Sequence, residues 1–241
     1  MIFAIVHFNT PELTTCLCAS IKKHHPDASI VIFDNSTSRP FTNYDLFDIT
    51  YFDNTKGALI DFDVELRKYR NRDVRGQTES GCRFGSAKHS MTIEWLCNNL
   101  SENFVLLDSD VLLKKPVDFC NDSYVCCSDI IQIYKDIYRI KPMIAYINVK
   151  QMQEKKIHFF DGRRMHGLVP TNTRYHWYDT GASFYEDVLR VKGLKRINSS
   201  DYIVHYGCGS WNRTAQRKVG NSKCEALTFK AWLYKYKKLW T

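Results

Sequence analysis

Asn103-Phe104-Val105-Leu106-Leu107-Asp108-Ser109-Asp110-Val111-Leu112-Leu113 sets an apolar run against two carboxylates one residue apart. Four apolar residues bounded by polar ones have the length of a buried strand, so a strand is predicted from Phe104 to Leu107. Asp108 and Asp110 then stand where the strand ends, with apolar residues on both sides. Carboxylates are costly to desolvate there without a cation or strong donors. Hard oxygen ligands favour Mg²⁺ or Mn²⁺, an ion that would bridge two phosphate oxygens and stabilise a departing diphosphate. Without a metal, the pair would be a chance D-x-D or an Asp capping the next turn. The apolar strand ahead of it favours the metal.

Toward the N-terminus the chain alternates as βαβ units do. Phe3 to His7 reads as a strand, Glu12 to Lys23 as a helix and Ser29 to Phe33 as a second strand. The helix opens on Asn9-Thr10-Pro11-Glu12, where Thr10 is placed to cap and the missing N–H of Pro11 costs nothing. Leu13, Leu17 and Ile21 recur every four residues, giving one face to pack on a sheet. A third strand is expected near Ile49 to Phe52, and an irregular, charge-rich segment from Asp61 to Gly81. A second helix runs from Ser86 to about Asn99 and leads into the strand before Asp108. This order predicts an α/β domain with a mostly parallel sheet, whose ligands sit beyond the carboxyl ends of the strands.

The 241 residues, 44% of them hydrophobic and 25% charged, suit one large α/β domain. The opening run has no basic leader or cleavage site, and no apolar stretch approaches the roughly 20 residues of a spanning helix. Nine cysteines, an odd number without paired C-x-x-C units, read as reduced thiols and a cytoplasmic location. The net charge of +8 asks for an acidic partner, for which nucleic acid, anionic lipid and a phosphorylated substrate all qualify.

Ile5-Val6-His7-Phe8-Asn9-Thr10-Pro11-Glu12-Leu13 and Ile30-Val31-Ile32-Phe33-Asp34-Asn35-Ser36 together resemble the opening of family 2 glycosyltransferases, enzymes of the GT-A fold. The resemblance implies a Rossmann-like, mostly parallel central sheet flanked by helices, with a smaller C-terminal acceptor-side region. It divides residues 1–241 into a nucleotide-binding half (1–110), an acceptor-side half (111–228) and a basic aromatic tail (229–241). It makes Phe8, Asn9, Thr10 and Asp34 donor-site residues, Asp34 accepting from a uracil imide or a ribose hydroxyl. Asp108 and Ser109 would lie against the diphosphate, and Asp108 and Asp110 would hold the metal.

Farther on, Ile203-Val204-His205-Tyr206-Gly207-Cys208-Gly209 is similar to the terminal H-x-G segment in which the histidine is a third metal ligand. Gly207 would let backbone amides approach phosphate. Tyr178-Asp179-Thr180-Gly181 and Phe184-Tyr185-Glu186-Asp187-Val188 resemble the acceptor-side E-D segment, although the usual following Asp is missing. Met143 to Val149 resembles the short strand after the D-x-D, with Asn148 placed to contact the donor sugar. Arg83 and Lys88 are candidates to neutralise the diphosphate, against the plainer reading of solvated surface charge.

The function implied is metal-dependent transfer of a hexosyl group from a nucleotide-sugar, a UDP-sugar first, to a hydroxyl of a glycan or lipid-linked acceptor in polysaccharide biosynthesis. An inverting course requires a carboxylate base, and the candidates in order are Asp179, Asp187 and Glu186. Gly181 beside Asp179 would leave room for a sugar. Two other classes compete. A haloacid-dehalogenase-like phosphatase would use Asp108 as nucleophile, but its D-x-D belongs on the first core strand. A non-catalytic basic module would bind nucleic acid. From Phe229 to Trp240 the chain is aromatic and basic without an acid, which suits peripheral contact with the inner face of an anionic membrane as well as a terminal helix docked on the domain.

Overall fold

The structure, a computed structural model, describes residues 1–70, 82–134, 137–161, 180–206 and 230–241. Its strands are hydrogen-bonded in the order β3-β2-β1-β4-β7-β6-β8, with a separate two-stranded ribbon of β5 and β9. α-Helices intervene between β1 and β2, β3 and β4, and β7 and β8, and the α/β class expected from the sequence is the class observed. The chain divides into two compact units, the first made of residues 1–56, 107–118 and 200–241, the second of 57–106 and 119–199.

In the first unit, β1 (Ile2–His7), β2 (Ser29–Asp34) and β3 (Ile49–Asp53) pair in parallel, Ile2 opposite Ser29 and Ile30 opposite Ile49. Phe3, Ile5, Ile30, Ile32 and Phe33 are fully buried, as near-continuous apolar strands of a parallel sheet must be. Between β1 and β2 runs α1 (Pro11–His24), one face of which buries Leu13, Leu17 and Ile21. Pro11 occupies its first turn as expected, but Thr10 makes no side-chain cap. α1 packs on β5 (Val111–Leu113), which pairs antiparallel with β9 (Ile203–His205), Val111 lying opposite His205.

In the second unit, β6 (Cys126–Tyr134) and β7 (Ile137–Ile147) form a long antiparallel pair, with β8 (Leu194–Arg196) parallel to β6. β4 (Phe104–Asp108) is assigned to the second unit as far as Leu106, and its last two residues, Leu107 and Asp108, to the first. The second unit's helices are α2 (Phe62–Arg70), α3 (Cys82–Asn99), α4 (Val149–Lys155) and α5 (Ala182–Arg190). α2 corrects the expectation of an irregular segment from Asp61. Asp61 starts that helix, its Oδ1 accepting from the amides of Asp63 and Val64 at 3.0 Å, an end signal that a weakly apolar stretch conceals. Residues 71–81 lie outside the described residues.

A second correction concerns Asn148. It is not a strand residue but the N-cap of α4, accepting from the Gln151 amide at 3.0 Å and donating to the Asp122 carbonyl at 3.0 Å. A third concerns Gly181. At φ +79°, it precedes α5, and a Cβ there would lie 2.5 Å from Ile140 Cγ1. The missing side chain makes room for Ile140, and not for a ligand.

Candidate metal centre

The end of β4 and the β5–β9 ribbon bring three ligand groups together. One ligand atom each from Asp108, Asp110 and His205 lie within 4.8 Å of one another. All three residues belong to the first unit. Asp108 ends β4, Asp110 precedes β5, and the antiparallel ribbon carries His205 back across from Val111. The Tyr206 amide donates to the Asp110 carbonyl at 2.9 Å, extending the ribbon past the histidine.

His205 Nε2 lies 3.2 Å from Asp110 Oδ1, with the Asp110 side chain 5% exposed and that of His205 32%. Burial alone would lower the imidazole pKa. The hydrogen bond to Asp110, followed by the charges of Asp110 and Asp108, outweighs it, and the net shift is upward. Two carboxylates and a deprotonated imidazole form a donor set suited to Mn²⁺ or Mg²⁺. Ligand atoms about 2.1 Å from an ion and at right angles to one another are about 3 Å apart. The 3.2 Å contact between His205 and Asp110 fits adjacent ligands of one cation.

Ser109, between the two aspartates, is buried and its hydroxyl is 3.1 Å from that of Thr10, just beyond β1. β1 and β4 are neighbours in the sheet, and β1 is where the strand order turns back from β3-β2-β1 to β4. Ligand crevices of open α/β sheets form at such a reversal, beyond the strand ends.

The other N-terminal residues shape the loops here. Asn9 adopts φ +56°, and its Oδ1 accepts from the amides of Thr37, Ser38 and Arg39 at 3.0–3.1 Å while its Nδ2 donates to Thr37 Oγ1. Asp34, expected to accept from a base or ribose, is fully buried. Its Oδ1 accepts from the Ser36 amide at 2.8 Å, and its Oδ2 from the Phe41 amide and the Tyr51 hydroxyl at 2.7 Å. A carboxylate enclosed in this way holds the loop that follows β2 in shape. Burial, with Asp34 adding to it, holds the Tyr51 hydroxyl well above its ordinary pKa. Phe8, beyond β1, is half-buried. Sequence reasoning missed Tyr51, Thr37 and Ser36 as loop-fixing partners, because such pairings become visible only when the strands are in register.

The remaining candidates belong to the second unit or lie outside the described residues. Lys88 Nζ sits 5.3 Å from the centre of the Phe62 ring. Asp187 pairs with Arg190 at 3.3 Å on α5, and Glu186 is exposed. The Thr180 hydroxyl reaches the Ser86 carbonyl at 3.3 Å. Asp179, Gly207 and the side chain of Arg83 are outside the described residues.

No protein-family model and no curated protein matches the chain. Solved structures similar to it include the galactosyltransferase LgtC in complex with donor and acceptor sugar analogues. That match has 13% identity over 83% of this chain and 74% of that one, at a TM-score of 0.45. The bifunctional glycosyltransferase WbbM is similar at 12% identity, 95% and 51% coverage and a TM-score of 0.44. The glycosyltransferase GlyE of Streptococcus pneumoniae TIGR4 is similar at 10% identity, 91% and 50% coverage and a TM-score of 0.43. At these identities and TM-scores, the chemistry of the site is read from its own geometry.

Proposed function

We propose that the chain is a metal-dependent glycosyltransferase that moves a sugar from a nucleotide diphosphate, UDP first, to a hydroxyl of a glycan or lipid-linked acceptor. The observation that carries this reading is the convergence of Asp108, Asp110 and His205 beyond β4, beside the loop that follows β1. Asp108 and Asp110 supply hard, negative oxygens and His205 a neutral nitrogen, and together they would hold Mn²⁺ or Mg²⁺. An ion held there would supply positive charge to a departing diphosphate.

The chain's own residues divide the remaining work. Phe8 and the loop braced by Asn9, Thr10 and Asp34 form a wall for the nucleotide. Arg83, Lys88 and the backbone at Gly207 are assigned to the diphosphate and Asn148 to the sugar side, where its capping role limits it to its remaining hydrogen-bonding capacity. Asp179, and after it Asp187 and Glu186, is assigned to take the proton of the acceptor hydroxyl in an inverting course. The exposed lysines of the tail fit an anionic membrane surface carrying a lipid-linked acceptor.

A thermal-shift series with nucleoside diphosphates, with and without Mn²⁺, tests the class. A ligand at a hundredfold its Kd stabilises by about 2.7 kcal/mol, a rise of about 5–10 °C for a chain of this size. The expected result is such a rise with one diphosphate, dependent on Mn²⁺ and lost in Asp110→Asn, with turnover of the matching nucleotide-sugar reduced at least about a hundredfold in the variant. Full activity in Asp110→Asn overturns the mechanism.

A further inference from the structure

We infer that residues 230–241 form a clasp on the metal centre, with Trp232 as a positioning residue that holds His205 beside Asp110. The inference rests on reading Asp108, Asp110 and His205 as metal ligands.

The third ligand stands on a slight support. β5 and β9 pair over three residues each, and an isolated two-stranded ribbon is marginal in water even at greater length. The ribbon is lengthened at both ends, by the Lys114 amide donating to the Tyr202 carbonyl at 2.7 Å and the Tyr206 amide donating to the Asp110 carbonyl at 2.9 Å. Among the described residues, Tyr206 is therefore the last that fixes the backbone of its neighbour His205. Successive side chains of an extended segment point to opposite faces, so the Tyr206 ring can be gripped without obstructing the imidazole.

Trp232 provides that grip. Its ring meets Tyr206 edge-on, at 5.3 Å between centres and 70° between planes, and meets Tyr236 in the same manner at 5.1 Å and 60°. Edge-to-face pairs at these separations are attractive and set ring orientation. The Tyr236 amide donates to the Trp232 carbonyl at 3.1 Å, so the two rings are carried on one helical turn. The far end of the segment is also tied down, with Lys23 Nζ of α1 donating to the Lys238 carbonyl.

α1 closes the circuit. It packs on β5, and Ser20 Oγ accepts from the Leu113 amide at 3.1 Å. From α1 the path runs through β5, β9, Tyr206 and Trp232 to Lys238 and back to Lys23. Groups that orient a metal ligand from behind typically change affinity by 10–100-fold when removed.

The test measures Mn²⁺ binding to the full chain by titration calorimetry, with the metal alone. Trp232→Ala is expected to weaken Mn²⁺ about tenfold, and Trp232→Phe, which keeps an aromatic edge, to restore most of the affinity. Where Trp232→Ala lowers the thermal midpoint, Tyr206→Leu carries the same test. It retains the backbone N–H to Asp110 and removes the ring that meets Trp232. Wild-type chain that binds Mn²⁺ alongside variants that bind it equally well overturns the clasp and leaves the metal reading standing. Wild-type chain that takes up no Mn²⁺ overturns both.

Discussion

His7 is a neutral imidazole enclosed at the end of β1. Its Nδ1 lies 2.8 Å from the Thr14 hydroxyl, and its Nε2 is 3.4 Å from the Arg39 carbonyl. A carbonyl only accepts, so Nε2 carries the proton and Nδ1 accepts from Thr14. Burial lowers its pKa below the ordinary 6.5, against an opposing pull from Asp34. In acid the unfolded chain then binds a proton that the folded chain refuses. Stability from this group is complete above pH 6.5 and is lost as pH falls from there toward the folded value. The thermal midpoint of the wild type is expected to fall on that acid side, and His7→Gln to show a shallower slope. A slope unchanged by the substitution excludes His7 as its source. Residue roles of this kind were only partly legible in the sequence. The aspartates of the D-x-D stood out because charge interrupts an apolar run, a local signal. Thr10, Asp34, Asn148 and Gly181 were noticed, but their partners Ser109, Tyr51, Asp122 and Ile140 are distant in sequence, and partners decide what a polar side chain or a glycine does.

Ser20 makes one helix carry a strand. Its hydroxyl donates to the Leu17 carbonyl at 2.8 Å within α1 and accepts from the Leu113 amide at 3.1 Å on β5. Ser20→Ala leaves that buried amide without this acceptor, at a cost of about 1–3 kcal/mol. Urea unfolding is expected to show the loss in its midpoint, with the slope unchanged, and an unchanged midpoint would mean that the strand finds another acceptor. At the scale of elements the sequence was informative where a pattern is local. Its expected strands and helix in the first 53 residues lie within one residue of the observed ends, since apolar runs and a helical stripe mark them directly. α2 was missed because its apolar positions are few. The β6–β7 pair was legible only in part, since pairing register over a long antiparallel hairpin with bulges leaves little period to read.

The whole molecule carries 34 basic against 26 acidic residues, and Lys230, Lys235, Lys237 and Lys238 are all exposed. No helix among the described residues is long and apolar enough to cross a membrane. Trp232 packs against both Tyr236 and Tyr206, while Tyr234 is 82% exposed, so the outward face of the tail is mainly lysine. Each lysine near an anionic surface contributes about 1 kcal/mol. Changing all four to glutamine is expected to remove most co-sedimentation with phosphatidylglycerol vesicles, the wild type being released by salt. Equal sedimentation of wild type and variant would exclude the tail. The β5–β9 ribbon, finally, joins Asp110 and the residues that follow it to residues around His205, far later in the chain. On a ribosome the two carboxylates emerge long before the imidazole that completes their set. A nascent chain therefore lacks the proposed ion cage until His205 has emerged and the ribbon has closed, and truncations that end before β9 are expected to retain no Mn²⁺.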